Sequence, residues 1–401
     1  MQRLLRGLSV LAAMALVASG APAARAAEPF VIPVIAPLTG GYAYAGQAMR
    51  TSLTALETQV NKEGGIKGQP LKFDYVDDAS TPQTALQMAQ NVLGGASKPQ
   101  AIIGSEYAAL CLAMAPFTKA KAVQYCVSPG VHPEYGADLF SASISTQGMA
   151  TAMVRFMREK GWKRIATITS TDASGQDAEV QLKTTALLSE NVTGGVSIVD
   201  AEHFNPTDQT VTAQMARIRA ANPDVIVMWT SGQPFGTVTH AYTDAGMTVP
   251  AFTTNGNMSF TFMKQFNGFL PKNLYFPGLA YLAGPNPKEA TASTRAPIKR
   301  MYDAMKAAGA PVDFQAGVPW DPAQIIVDAY RKLGTSASYE QIRQWILSQT
   351  DYAGISGVYD FTDKGAGAQR GLSSKDVLIM KWDDTKPAFI PASKMGGGAP
   401  S

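Results

Sequence analysis

Residues 61–85 read Asn61-Lys-Glu-Gly-Gly-Ile-Lys-Gly-Gln-Pro-Leu-Lys-Phe-Asp-Tyr-Val-Asp-Asp-Ala-Ser-Thr-Pro-Gln-Thr-Ala85. Gly64 and Gly65 stop a helix, because glycine accepts the left-handed backbone that comes after a last helical turn. Gly68 turns the chain into a strand, Leu71 to Val76, where apolar and polar residues alternate. Ser80 or Thr81 then caps a second helix, with Pro82 at its first position, where a missing N–H costs nothing. Asp77 and Asp78 close the strand and help cap that second helix; a metal or acid–base pair is the secondary reading.

The same grammar extends in both directions. Val31 to Ala36 reads as a strand and Ala48 to Asn61 as a helix, and Thr84 to Leu93 is the helix opened by Pro82. Next come a strand at Ala101 to Gly104, a helix through Phe117 and a strand at Ala122 to Cys126. The pattern restarts near Gly148, with strands at Arg164 to Thr169, Gly195 to His203, Val225 to Trp229 and Pro250 to Thr253 separated by helices. Residues 291–347 are largely helical, and Val377 to Trp382 is a late strand. Repeated βα units predict an α/β fold of two Rossmann-like lobes, each a parallel sheet covered by helices. In such sheets ligands lie beyond the carboxyl ends of the strands.

The 401-residue chain carries a formal net charge of +3, with 46% hydrophobic and 16% charged residues. That composition suits large cores and gives no basic stretch for a nucleic-acid partner. Arg3 and Arg6, the apolar run Leu8 to Val17 and the small-residue site Ala24-Arg25-Ala26 predict an export signal over 1–26. The run is too short to span a bilayer, so the exported chain is expected in the periplasm and not inserted in the membrane. Export places Cys111 and Cys126 in an oxidising compartment, where two cysteines tend to bond; two buried free thiols are the alternative. Neither cysteine lies in a CxxC motif, and three histidines, His132, His203 and His240, are too few for a zinc site. Gly365-Ala-Gly-Ala-Gln-Arg-Gly371 lacks the spacing of a phosphate-binding loop, and P-loop, HExxH and GxSxG motifs are missing. No catalytic residue and no cofactor are expected.

Residues 61–85, together with Pro37-Leu-Thr-Gly40 and Ala43-Tyr-Ala-Gly46, resemble the branched-chain amino-acid type of periplasmic binding protein. The resemblance implies the type I periplasmic binding protein fold, two lobes joined by three crossings near 143–146, 277–281 and 352–356. Lobe I is then 28–145 plus 281–352, lobe II 146–280 plus 353–392, and 393–401 a disordered tail. It further implies a monomeric solute-binding subunit that hands a small ligand to the membrane permease of an ABC importer; a periplasmic sensor of the same fold is the alternative. The ligand loops fall on Ser105-Glu106-Tyr107-Ala108 and Pro129-Gly130-Val131-His132 in lobe I. In lobe II they fall on Ser174, Trp229-Thr230-Ser231 and Asn255. The family's hydroxyl residue is replaced here by Ala108, its small residue and threonine by Gly130 and His132, its aromatic by Ser174, and its ammonium-pairing acid by Asn255. Tyr42, Tyr44, Tyr107, Trp229, Tyr281 and Trp320 are candidate aromatic walls. These departures point away from a simple branched-chain amino acid and toward a small organic acid or amide, with Glu106 able to replace the missing carboxylate and a branched-chain ligand as the alternative.

Overall fold

In the computed structural model, which describes residues 27–365 and 368–400, the chain enters a sheet at β1 (Phe30–Ala36). It continues through α1 (Ala43–Lys62), β2 (Leu71–Asp77), α2 (Pro82–Gly94), β3 (Ala101–Gly104), α3 (Ala108–Thr118), β4 (Val123–Cys126) and β5 (Leu139–Ser141). These strands form one parallel sheet in the order β2-β1-β3-β4-β5. Residues 32–36 of β1 are buried on both faces, as an apolar strand between two helical layers must be. The expected export signal lies outside the described residues.

The turn read from sequence forms as its chemistry requires. Gly65 holds φ +68°, and a Cβ there would lie 2.0 Å from the Gln69 carbonyl oxygen. Thr81, rather than Ser80, caps α2 by accepting the Thr84 N–H at 3.3 Å. Ser80 instead accepts the Tyr42 N–H at 3.1 Å and donates to the Thr39 carbonyl at 2.6 Å. Asp77 receives the N–H groups of Leu38, Thr39 and Ala79. It therefore ties the end of β2 to the loop after β1. Gly46 is needed for packing: a Cβ there would lie 2.2 Å from the Pro37 carbonyl oxygen, so only glycine lets α1 approach that loop.

The second lobe comprises α4 (Thr146–Glu159), β6 (Arg164–Ser170), α5 (Ala173–Ala186), α6 (Ser189–Thr193), β7 (Ser197–Phe204), α7 (Thr212–Ala220), β8 (Val225–Trp229), α8 (Gln233–Asp244), β9 (Ala251–Thr253), α9 (Phe260–Gln265) and β10 (Leu274–Gly278). The chain then returns to the first lobe as α10 (Arg295–Ala307), α11 (Phe314–Gly317), α12 (Trp320–Leu333) and α13 (Tyr339–Leu347), with α10, α11 and α12 packing on α1. A short hairpin, β11 (Tyr352–Ala353) and β12 (Val358–Tyr359), precedes β13 (Leu378–Asp383) and β14 (Ala388–Met395). The second sheet runs β14-β13-β10-β9-β8-β6-β7, parallel except where β13 meets β10 and β14. Among the described residues no helix is long and apolar enough to cross a membrane.

Long-range contacts place two segments near the end of the chain. Ile355, Ser356 and Gln369 are held against the first lobe. Buried Asp321 on α12 draws the N–H groups of Ile355 and Ser356 to 2.8 and 2.9 Å, and Ser141 of β5 donates to the Gln369 carbonyl at 3.0 Å. The turn Ser374–Asp376 that follows packs on α4 of the second lobe. The expected tail at 393–401 is ordered through Pro400: Ser393 to Met395 complete β14, and the Gly396 N–H donates to the Val377 carbonyl at 2.7 Å. Composition suggested disorder, but the backbone of this segment is recruited by the β13 edge.

Cys111 on α3 and Cys126 at the end of β4 form a disulfide, with Cα atoms 5.8 Å apart and a sequence separation of 15. A loop of that length should stabilise by about 3 kcal/mol. Unfolded, unreduced protein should therefore titrate no free thiol, and reduction should lower the denaturant midpoint; two reactive thiols would contradict the bond.

Candidate functional site

The carboxyl ends of both sheets face each other, and a narrow cavity of about 40 Å³ lies between them. The first lobe contributes Glu106, Tyr107 and Ala108 after β3, and Val127, Ser128 and Pro129 after β4. The second contributes Ser174 after β6, Ser231 after β8, and Thr254, Asn255 and Gly256 after β9. Phe314 and Gln315 of α11 close one wall. Of the residues anticipated from sequence, Glu106, Tyr107, Ala108, Ser174, Ser231 and Asn255 line this cavity.

The other candidates lie outside the lining and support it. Tyr44 shares a 2.6 Å hydroxyl contact with Tyr107, and Tyr42 stacks on the Tyr107 ring at 3.6 Å. Gly130 sits behind Ala108, where an added Cβ would lie 3.4 Å from the alanine methyl. His132 leaves the cavity altogether: its Nε2 meets Asp177 on α5 at 2.9 Å, a contact that links the two lobes at the surface with the histidine 43% exposed. Trp229 is buried in the second lobe and directs its indole N–H to Ser174 Oγ at 3.3 Å. Tyr281 is buried against α11, where a Cβ on Gly317 would lie 2.2 Å from its ring, behind the wall formed by Phe314 and Gln315. Trp320 is buried at the start of α12. Aromatic residues on strands and helix starts tend to fill the core beneath a site.

The second-lobe polar groups are held by one another. Asn257 donates to the Thr230 carbonyl and Thr253 Oγ1 and accepts the Gly232 N–H, which fixes two cavity loops together. Asn255 donates to Ser143 Oγ at 3.4 Å and accepts from Thr254 Oγ1 at 3.2 Å, so it spans from the second lobe to the first crossing. Gln315 donates to the Gly256 carbonyl at 2.7 Å, joining α11 to the opposite lobe. Sequence reading missed Phe314 and Gln315. Their local signal was Asp313, which caps α11 by accepting the Ala316 N–H at 3.1 Å.

Glu106 is unlike its neighbours. It is 6% exposed, and among the described residues neither carboxylate oxygen has a hydrogen-bond partner. Burial, then the nearby Asp78 and Asp313 carboxylates, push its pKa well above the usual carboxylate range. Asp78 is better served, accepting from Ser105 Oγ at 2.6 Å and the Ser80 N–H at 2.9 Å. Burial raises Asp313 to about 6. Among the described residues no basic side chain lines the cavity.

Arg370 anchors the cavity floor. This guanidinium, 1% exposed, donates to the carbonyls of Ala142 at 2.9 Å, Ser143 at 3.3 Å, Pro129 at 3.1 Å and Val131 at 2.5 Å. Burial lowers its pKa to about 10, which leaves it charged at neutral pH. The segment that sequence reading dismissed as a plain loop therefore holds both the first crossing and the loop after β4.

Two lobes joined by three crossings, with strand ends converging on a cavity between them, define a clamp for a small solute. The chain belongs to the periplasmic binding protein family, whose pattern it matches over residues 29–386. It is 24% identical, over 94% of its length and 98% of the relative's, to Leu/Ile/Val-binding protein homolog 3 of Brucella melitensis. A periplasmic binding protein type 1 of Bordetella pertussis superposes with a TM-score of 0.77 at 22% identity, covering 91% of this chain and 100% of that one. The branched-chain amino acid transporter substrate-binding protein of Streptococcus pneumoniae, in complex with isoleucine, superposes at 0.72 and 16% identity, covering 90% and 98%. These relatives place the chain with the branched-chain amino-acid type of the family.

Two outcomes are expected. Asp313 binds its proton more tightly folded, near pH 6, than unfolded, near 3.8. Its contribution is thus greatest below the unfolded value and is lost as pH rises toward the folded one, by about 2–3 kcal/mol. Asp313→Asn keeps the cap and should flatten that part of the stability profile between pH 4 and 6, read by urea melts. Arg370→Leu strips donors from four buried carbonyls and should cost about 3–5 kcal/mol; a loss under about 1 kcal/mol in the same melts would show that the anchor is dispensable.

Proposed function

We propose that this protein is the solute-capturing subunit of an ABC importer, which encloses a small polar organic ligand between its lobes and presents the closed clamp to a membrane permease. The observation that carries the reading is the convergence of strand ends from both sheets on one cavity, with the lobes linked by chain crossings. Such a site is completed only when the lobes come together, so closure reports occupancy to a partner. Among the described residues the cavity presents hydrogen-bonding groups and a single carboxyl but no histidine, cysteine or activated serine in a catalytic arrangement, which favours capture without chemistry.

The ligand reading drawn from sequence changes in one respect. Beside the unpaired Glu106 carboxyl, with no basic side chain in the lining, a ligand that brings N–H donors is a better match than an organic acid without any. The lobe boundaries, the periplasmic location and the monomeric state are part of this proposal.

Protein stripped by unfolding and refolding, then given back the solute extracted from it, should contract in small-angle scattering. An unchanged radius of gyration at saturating solute would defeat the clamp, and turnover of the solute would make the protein an enzyme.

A further inference from the structure

Asn255, the second-lobe amide in the cavity, is already engaged with Ser143 and Thr254. On the opposite wall Glu106 lines the same cavity, is buried, and has both oxygens unpaired among the described residues. We infer that Glu106 is the acceptor for an ammonium group of the ligand, so that the first lobe recognises the amine and the site selects amine-bearing solutes.

An unpaired buried carboxyl is unfavourable in either protonation state: ionised it lacks a countercharge, and neutral it lacks a hydrogen-bond partner. A ligand ammonium corrects both faults, since its N–H groups can reach the two free oxygens and its charge offsets the acid. The surroundings carry the same sign. Asp78 and Asp313 are the charged groups that act on Glu106, and both are acidic. Asp78 is occupied by Ser105 and Ser80, and Asp313 by the start of α11. Glu106 is thus the carboxyl left for a ligand. Tyr107, next to it, is stacked on Tyr42 and bonded to Tyr44, so neither the Tyr107 nor the Tyr44 hydroxyl turns to meet the acid.

This inference rests on the solute-clamp reading, and its test separates the two. Stripped wild-type protein and Glu106→Gln are assayed by thermal shift and calorimetry against matched trios. One trio is leucine, leucinamide and 4-methylpentanoate; the other is phenylalanine, phenylalaninamide and 3-phenylpropanoate. The solute that copurifies with wild-type protein is identified by native mass spectrometry. The amine-bearing members of a trio should bind and the deaminated acid should not, and the copurified solute should contain a basic nitrogen. Glu106→Gln should lose at least about a hundredfold in affinity for that amine, with partial recovery in Glu106→Asp. Stripped Glu106→Gln should melt about 2 °C or more above stripped wild type, because it removes the orphan acid; that rise also shows that the variant folds. A deaminated acid that binds as well as its amine, a copurified solute without basic nitrogen, or equal affinities in wild type and Glu106→Gln would overturn the inference. In each of those cases contraction on binding would leave the clamp itself intact, whereas binding without contraction would fail the clamp and not the amine.

Discussion

A guanidinium that has lost nearly all its water must recover its hydrogen bonds from the protein, and Arg370 does so from four carbonyls in two separate stretches of chain. Ala142 and Ser143 belong to the first crossing between lobes; Pro129 and Val131 belong to the loop after β4. Arg370 itself sits just before the turn Ser374–Asp376. One side chain therefore fixes one link between lobes and one wall of the cavity. Gln369 reinforces the arrangement by donating to the Ala137 and Leu139 carbonyls beside β5. Because the charge is retained at neutral pH, displacing any of these carbonyls would leave a buried cation underbonded.

The polar groups of the framework obey a consistent rule. Asp77, Asp321 and Asp138 each tie distant segments together by accepting from backbone N–H, hydroxyl or guanidinium groups. Asn257 does the same with an amide in the second lobe. Against that background Glu106 stands apart as a buried carboxyl facing the cavity with its oxygens unengaged. Asp200 also leaves one buried oxygen unpaired, but among the described residues Glu106 is the carboxyl with both oxygens buried and unpaired, and an orphan of this kind calls for an explanation. The disulfide between α3 and β4 secures the segment on which Glu106 and Ala108 are mounted, and Cys111 and Cys126 pack with Ala108 and Val131.

The sequence by itself determined the local grammar. Helix stops at Gly64 and Gly65, the cap and proline at Thr81 and Pro82, and the alternation of apolar runs with helical stretches depend on backbone preferences that act within a few residues, so they are legible wherever they occur. The two-lobe α/β architecture grew out of them, whereas the loops that hold the six lining residues from Glu106 to Asn255 came from the resemblance to the periplasmic binding protein family. Only the tertiary structure brought the backbone of Ile355, Ser356 and Gln369 onto the first lobe, because that depends on Asp321 and Ser141, far away in the chain. It alone brought Phe314 and Gln315 to the cavity, sent His132 to Asp177 at the surface, and left Glu106 without a partner. A residue type states what a side chain is able to bond; which bonds remain unmade is fixed by the neighbours that folding brings within about 3 Å.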